Sequence, residues 1–254
     1  MSRESNKTKR CFNMKAKILT SAILLAMTSV AAHATTINIR HETTPRYDGQ
    51  SAKQADRVAV SHRFKNGVGF EVEAKWKSDN EDALGEQKGN GQQANVSYLY
   101  KLNDAWSLKP QYKWESGSDK VGHQFNLTLG YKVNPDWSVS FRHRYHYENK
   151  VNANNSHYNR WTFEASYGGL ENWKLGGSVD YTFNPDSSGP RWKDHQNWFS
   201  EVNFKGEYTG FEGGWHPFTE IGFVPYKSGD YVYDGSAQND KWRPRVRIGV
   251  KYSY

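Results

Sequence analysis

The C-terminal stretch from Arg243 to Tyr254 constrains the fold more than any other part of the chain. Val246, Ile248, Val250, Tyr252 and Tyr254 fall at one parity; Arg243, Arg245, Arg247, Gly249, Lys251 and Ser253 fall at the other. Side chains on a strand alternate between faces, so this segment has an apolar face and a strongly cationic one. A water-soluble core gives no reason for four cations on one side of a terminal strand. A membrane-spanning barrel does, because its outside meets lipid and its inside meets a wet lumen. Gly249, Tyr252 and the terminal Tyr254 also look like the signal that outer-membrane barrels present to their assembly machinery.

The opposite end predicts export. From Met14 come Lys15 and Lys17, an apolar run over Ile18–Met27, and small residues ending in Ala32-His33-Ala34. This reads as a secretory signal cleaved after Ala34, with residues 1–13 as an upstream extension if Met14 is the true start. The run is too short for a helical span, which needs roughly 20 apolar residues. Residues 35–254 then form a single barrel domain. The whole chain carries 34 bases and 27 acids for a formal charge of +7. Six bases and one acid lie in the leader, so the remainder has a net charge of only +2. Basicity therefore resides mostly in the leader, which argues against nucleic acid as a partner. Cys11, the one cysteine, also lies there, leaving neither a disulfide framework nor a thiol nucleophile after export.

Alternating segments of about ten residues recur from Ile37 onward, near the length of a tilted transmembrane strand. The third puts Val68, Phe70, Val72, Ala74 and Trp76 outward against Glu71, Glu73, Lys75 and Lys77. The seventh puts Trp137, Val139, Phe141, His143, Tyr145 and Tyr147 outward and Arg142, Arg144 and His146 inward. The eighth sets Trp161 and Phe163 against Tyr158, Arg160 and Glu164; the tenth sets Trp198, Ser200, Val202 and Phe204 against Glu201, Asn203 and Lys205. The twelfth is the C-terminal stretch. Tight turns are expected at Lys65-Asn66-Gly67, where Asn-Gly supplies positive φ, at Asn134-Pro135-Asp136, and at Gly168-Gly169. Longer polar connections are expected near 43–54, 78–91, 116–122, 148–156, 184–194 and 226–240. Strict alternation of short and long connections is the pattern of outer-membrane barrels.

The fold expected is all-β: a transmembrane antiparallel β-barrel of 12 strands in the outer membrane of a Gram-negative cell. Short periplasmic turns and longer extracellular loops join the strands, and outer-membrane lipid surrounds them. The competing fold is a soluble sandwich or lipocalin-like barrel with the apolar parity inside. Bulky aromatics crowd that parity on nearly all segments, more than a closed twelve-stranded interior can hold.

On this register bases outnumber acids in the lumen, most of all on the fifth, seventh, eighth and twelfth segments. Lysine and arginine linings favour anions. Guanidinium groups also match carboxylates through paired hydrogen bonds, so Arg142, Arg144, Arg160, Arg243, Arg245 and Arg247, with Lys109 and Lys113, are the expected pore lining. The alternative is that these bases pair with inward acids and only brace the wall. The seventh and twelfth segments carry no matching acids of their own, which favours a cationic track.

Phe141-Arg142-His143-Arg144-Tyr145, Asn159-Arg160-Trp161 and Arg247-Ile248-Gly249-Val250 are similar to motifs of the oligogalacturonate-specific porin family, which has sialic acid channels among its relatives. The leader, the twelve segments and the C-terminus extend the likeness over essentially the whole chain. The resemblance implies a monomeric twelve-stranded channel with two facing basic tracks that passes acidic oligosaccharides. Arg142, Arg144, Arg160, Arg245 and Arg247 fall on its motifs. His143 departs from them, standing where an aromatic partner of Tyr145 is expected; either the register slips there or the histidine lies near the interface.

Other chemistries find little support. His143 and His146 have the spacing of a helical metal pair but point to opposite sides of a strand. Gly89-x-Gly91-x-x-Ala94 mimics a dinucleotide fingerprint, yet it sits in a loop that opens a strand, not a helix. No catalytic constellation, metal site or cofactor is implied. The reading is a porin for anion-selective passive diffusion of acidic oligosaccharides, oligogalacturonates first. Another acidic sugar such as sialic acid is the alternative within transport; a barrel hydrolase or an adhesin is the alternative outside it.

Overall fold

A computed structural model describes residues 35–46, 52–78, 87–184, 197–225 and 242–254. The leader, its cleavage after Ala34, and the middles of four long connections lie outside the described residues. Twelve strands follow in chain order: β1 (Thr36–Thr44), β2 (Lys53–Arg63), β3 (Val68–Ser78), β4 (Gln87–Tyr98, resuming at Tyr100–Lys101 after Leu99), β5 (Trp106–Ser116) and β6 (Lys120–Lys132). β7 (Trp137–Lys150), β8 (Ser156–Leu170), β9 (Trp173–Phe183), β10 (Asn197–Tyr208), β11 (Trp215–Pro225) and β12 (Trp242–Ser253) complete the set. Each pairs antiparallel with its chain neighbours, and β1 pairs with β12 from Thr36↔Ser253 to Thr43↔Val246. The sheet is thereby closed on itself. Closure removes the strand edges, which lipid would leave without hydrogen-bond partners.

The outside is apolar along its height. Phe163, Phe204, Phe199 and Ile248 are each more than half exposed, as lipid-facing groups are when the protein is viewed without its bilayer. An aromatic girdle rings the short-turn end. Trp106 packs on Tyr131 (ring centroids 4.4 Å apart), Trp137 on Tyr167 (4.7 Å), Trp173 on Tyr208 (5.2 Å) and Trp215 on Tyr252 (4.7 Å). Tyr147 lies ten residues beyond Trp137 on β7. At about 3.3 Å per residue and a tilt near 40°, that is roughly 25 Å of height, the thickness of a bilayer-spanning apolar band. Aromatic pairs on the outside and alternating polar groups on the inside overturn the soluble alternative.

Asparagine closes two of the short turns. Asn103 Oδ1 accepts from the backbone N–H of Ala105 and Trp106 at 2.9 and 2.8 Å, and Asn134 Oδ1 does the same for Asp136 and Trp137 at 2.9 and 2.7 Å. Such side-chain turns replace the backbone partners that the ending strand no longer supplies. At Lys65-Asn66-Gly67 only the glycine takes positive φ (92°), while Asn66 accepts from Val68 N–H at 3.0 Å. The turn expected at Gly168-Gly169 lies instead at Glu171-Asn172, with Asn172 at φ 61°, because β8 pairs onward to Leu170.

Three further expectations change. The connection foreseen over 116–122 is only Gly117–Asp119, closed by a 2.9 Å bond from Gly117 N–H to Lys120 O, so short and long connections do not alternate strictly. The Gly89–Ala94 stretch lies within β4, where Gly91 at φ 105° marks the break in β3–β4 register. On β10 a bulge lies opposite Asp180 and Tyr181: Asp180 faces Glu201, but Tyr181 faces Phe199. Ser200 is the extra residue, and beyond it the parity reverses. Trp198 therefore turns inward (7% exposed), and Phe199 takes the lipid side at 55%. The outward placement of Trp198 and Ser200 is corrected accordingly.

Candidate functional site in the barrel lumen

Inward side chains form rows across the wall built by β5 to β9. In one, Lys109 stands opposite Thr128, Thr128 opposite Arg142, and Arg142 opposite Thr162. The next runs Gln111, Asn126, Arg144, Arg160 and Thr182. Arg142 and Arg144 thus have no carboxylate directly across from them on either neighbouring strand. Arg142 Nη2 donates to Thr162 Oγ1 at 2.9 Å, and Arg144 Nε donates to Asn126 Oδ1 at 2.9 Å. Asn126 is one link of an amide chain: it donates to Gln111 Oε1 (3.2 Å), Gln111 to Asn95 Oδ1 (3.0 Å), and Asn95 to Glu71 Oε1 (3.1 Å). Arg160 donates to Thr182 Oγ1 at 3.1 Å and reaches Asp180 at 3.5 Å. Lys109 has Arg63 and Arg142 among its charged neighbours together with Glu164 and Glu71, and Lys113 has Arg144 and Lys75 together with Glu115 and Glu73. Five of the eight predicted lining residues therefore gather on one wall, where Arg142 and Arg144 are held by neutral groups.

The β12 arginines have different company. Arg247 stands directly across from Glu220 on β11 and from Glu42 on β1. Its Nε donates to Glu42 Oε2 at 2.6 Å, Nη1 donates to Glu220, and Glu201 lies 3.6 Å away. Arg245 donates to Glu201 and, at 2.8 Å, to Asn203 Oδ1. Arg243 is 7% exposed on the same face, opposite Val224. β12 carries no acid of its own, but acids on β1, β10 and β11 are brought alongside its arginines by the strand register. This bracing continues onto β2 and β3, where Arg57 meets Glu73 at 2.8 Å and Lys75 meets Glu73 at 3.2 Å. β7 lies six strands from β1 around the ring, so a cationic wall faces an interleaved one across the lumen. Low-dielectric walls focus the unbalanced potential into the water between them.

Sequence reasoning missed two inward aromatics. Trp198 is reached only through the bulge. Phe218, 6% exposed, lies beneath Lys205 and Lys251, whose Nζ atoms are 4.8 and 5.8 Å from its ring centre. Gly249 makes room for it, since an added Cβ would sit 2.7 Å from the Phe218 ring and 2.4 Å from Ile39 O. No register slip occurs at His143. It faces outward opposite Trp161, and its Nε2 is 3.0 Å from Asn159 Oδ1 on the same face. At the short-turn end lies a cavity of about 670 Å3, lined by inward groups such as Lys101, Ser107 and Glu164 and also by Trp106 and Tyr131 of the girdle.

The profile of the oligogalacturonate-specific porin protein family (KdgM) matches residues 28–254. The chain belongs to that family. It is 32% identical to the oligogalacturonate-specific porin KdgM of Dickeya dadantii (strain 3937), over 95% of this chain and all of the relative. It is 24% identical to the N-acetylneuraminic acid outer membrane channel protein NanC of Escherichia coli (strain K12), over 94% of this chain and 98% of that one. A solved KdgM porin superposes with a TM-score of 0.61 at 25% identity, covering 86% of this chain and 99% of the porin. The same porin has been solved in complex with disordered oligogalacturonate, at the same TM-score. This member of the oligogalacturonate-specific porins is thus an outer-membrane β-barrel, and its relatives are porins and channels.

Proposed function

We propose that this porin admits acidic oligosaccharides by passive, anion-selective diffusion, with oligogalacturonates as its main solutes. The observation that carries this reading is the neutral hydrogen-bonding of Arg142 and Arg144, to Thr162 and Asn126. Guanidinium groups whose charge is not already met by carboxylate remain open to a carboxylate that passes. Lys109, Lys113 and Arg160 extend the same wall. Arg243, Arg245 and Arg247 line the lumen too, but as braces with acidic partners for the latter two. The names of the relatives, oligogalacturonate-specific and N-acetylneuraminic acid channels, agree in the carboxylated sugar they handle. On this reading the protein is a conduit and not a hydrolase, acts as a monomer, and leaves residues 1–34 behind on export. Tyr254, exposed and packed near Tyr252 at the closing strand's end, is what the assembly machinery engages.

The test is planar-bilayer recording of the refolded barrel. Reversal potentials in a KCl gradient should report anion preference. Trigalacturonate should occlude the current at lower concentration than sialic acid, and both should emerge chemically intact. Cation preference, or equal insensitivity to both sugars, refutes the reading.

A further inference from the structure

One inward cluster adjoins the basic wall on its long-connection side. Glu115 on β5 and His146 and Glu148 on β7 bring one ligand atom each to within 4.8 Å of one another, towards the long-connection end. His146 is 3% exposed, and its Nε2 faces carboxylate oxygens alone. That nitrogen lies 3.1 Å from Glu115 Oε1 and 3.7 Å from Glu148 Oε1. The other ring nitrogen, Nδ1, is bonded to the Tyr158 hydroxyl, which fixes the ring. Both carboxylates are anchored through their far oxygens. Glu115 Oε2 accepts from Gln124 at 3.0 Å and Gln93 at 3.3 Å, and Glu148 Oε2 accepts from Ser156 Oγ at 3.3 Å. Each Oε1 is turned toward the histidine, that of Glu148 while also accepting from Lys120 Nζ.

We propose that Glu115, His146 and Glu148 form a binding site for a divalent transition metal of the zinc class at the mouth of the lumen. A tetrahedral zinc with bonds of about 2.0–2.2 Å holds neighbouring ligands roughly 3.3–3.5 Å apart. The two separations from His146 Nε2 bracket that value. A ring nitrogen oriented by a hydrogen bond on its partner nitrogen is the usual state of a metal-binding imidazole. Lys120 stands in competition, with Nζ 2.5 Å from Glu148 Oε1, and Lys150 lies 3.9 Å from Glu148 Oε2. The Lys120 side chain is 45% exposed, so it can withdraw into water when a metal enters. An imidazole nitrogen in the set selects against magnesium, which takes oxygen ligands.

Calorimetric titration of zinc chloride into the refolded barrel in detergent, at pH 7.5, tests the site. Wild type should bind one zinc saturably, and magnesium chloride should give no binding. His146→Gln should weaken zinc binding at least tenfold, and Lys120→Met should tighten it severalfold. Heat-modifiable migration on gels shows that each variant is folded; if His146→Gln fails that check, Glu148→Gln serves in its place. X-ray absorption at the zinc edge should find one nitrogen and at least two oxygens near 2.0–2.2 Å. Absence of saturable zinc binding in both wild type and Lys120→Met overturns the proposal, as does a folded ligand-removal variant that binds as tightly as wild type.

Discussion

Arg144 donates its Nε hydrogen to the amide oxygen of Asn126 at 2.9 Å, and the neutrality of that acceptor leaves the guanidinium charge uncompensated in the lumen. Arg247 makes the corresponding bond at 2.6 Å to a carboxylate, Glu42. Both arginines point inward and both are well bonded. One remains a charge on which a solute can act, and the other has become part of the frame.

Replacing each with glutamine separates the two roles. Arg144→Gln should weaken trigalacturonate occlusion about tenfold, or about 1.4 kcal/mol, with little change in stability. Arg247→Gln should leave occlusion within about twofold yet destabilise the barrel by about 2 kcal/mol, because Glu42 and Glu220 lose their shared cation. That cost is below the 3–5 kcal/mol of a fully buried pair, since water reaches the lumen. Current titrations and urea unfolding in lipid vesicles measure the two effects; equal behaviour of the two variants contradicts the division.

The converse change is made on the acids. Glu42→Gln combined with Glu220→Gln releases Arg247 from both of its cross-strand partners. Anion selectivity should rise above wild type, with the reversal potential in a tenfold KCl gradient moving toward the chloride limit. Raising total salt should shrink the difference, since free ions screen a wet pore over about 10 Å at 0.1 M. A selectivity unchanged at low salt would show that these arginines already act as free charges.

The bulge on β10 predicts opposite surroundings for adjacent residues. A spin label on a cysteine at position 199 should respond to oxygen dissolved in lipid, and one at 198 to a water-soluble nickel chelate. Positions 246 and 245 should behave in the same way as lipid-facing and lumen-facing controls. Reversal at 198 and 199 alone would restore unbroken alternation to β10 and remove the bulge.

The barrel itself is legible because its signal is local. Alternation along Arg243–Tyr254 needs only a period of two, and Asn134-Pro135-Asp136 needs only turn chemistry. The lumen is less legible because its charges meet across strands distant in sequence. Glu42 and Arg247 are separated by 205 residues and become partners only when β1 closes on β12. Counting acids on a single strand therefore cannot tell Arg142 from Arg247. Trp198 and Phe199 are both bulky and apolar, so nothing in their side chains says which takes the lipid side; one unpaired Ser200 decides it. The Glu115–His146–Glu148 cluster is half legible: Glu148 follows His146 at the same parity on β7, but Glu115 joins them only when β5 and β7 are brought together across β6.

His143 and Asn159 offer a measurement of what a hydrogen bond contributes on the lipid face. They lie on adjacent strands, 3.0 Å apart, with Phe141 and Phe163 packed nearby at a ring separation of 4.9 Å. Removing one partner leaves the other polar group facing hydrocarbon, where no water can take its place. His143→Leu and Asn159→Leu should therefore each destabilise the barrel, while the double variant should be at least as stable as wild type, because two apolar groups replace a satisfied pair. The coupling drawn from the cycle should be about 1 kcal/mol, in the range found for side-chain hydrogen bonds inside membranes. Urea unfolding from vesicles of defined thickness supplies all four stabilities. Additive single losses would place the two groups in separate, water-reached environments and lift both residues out of the apolar band.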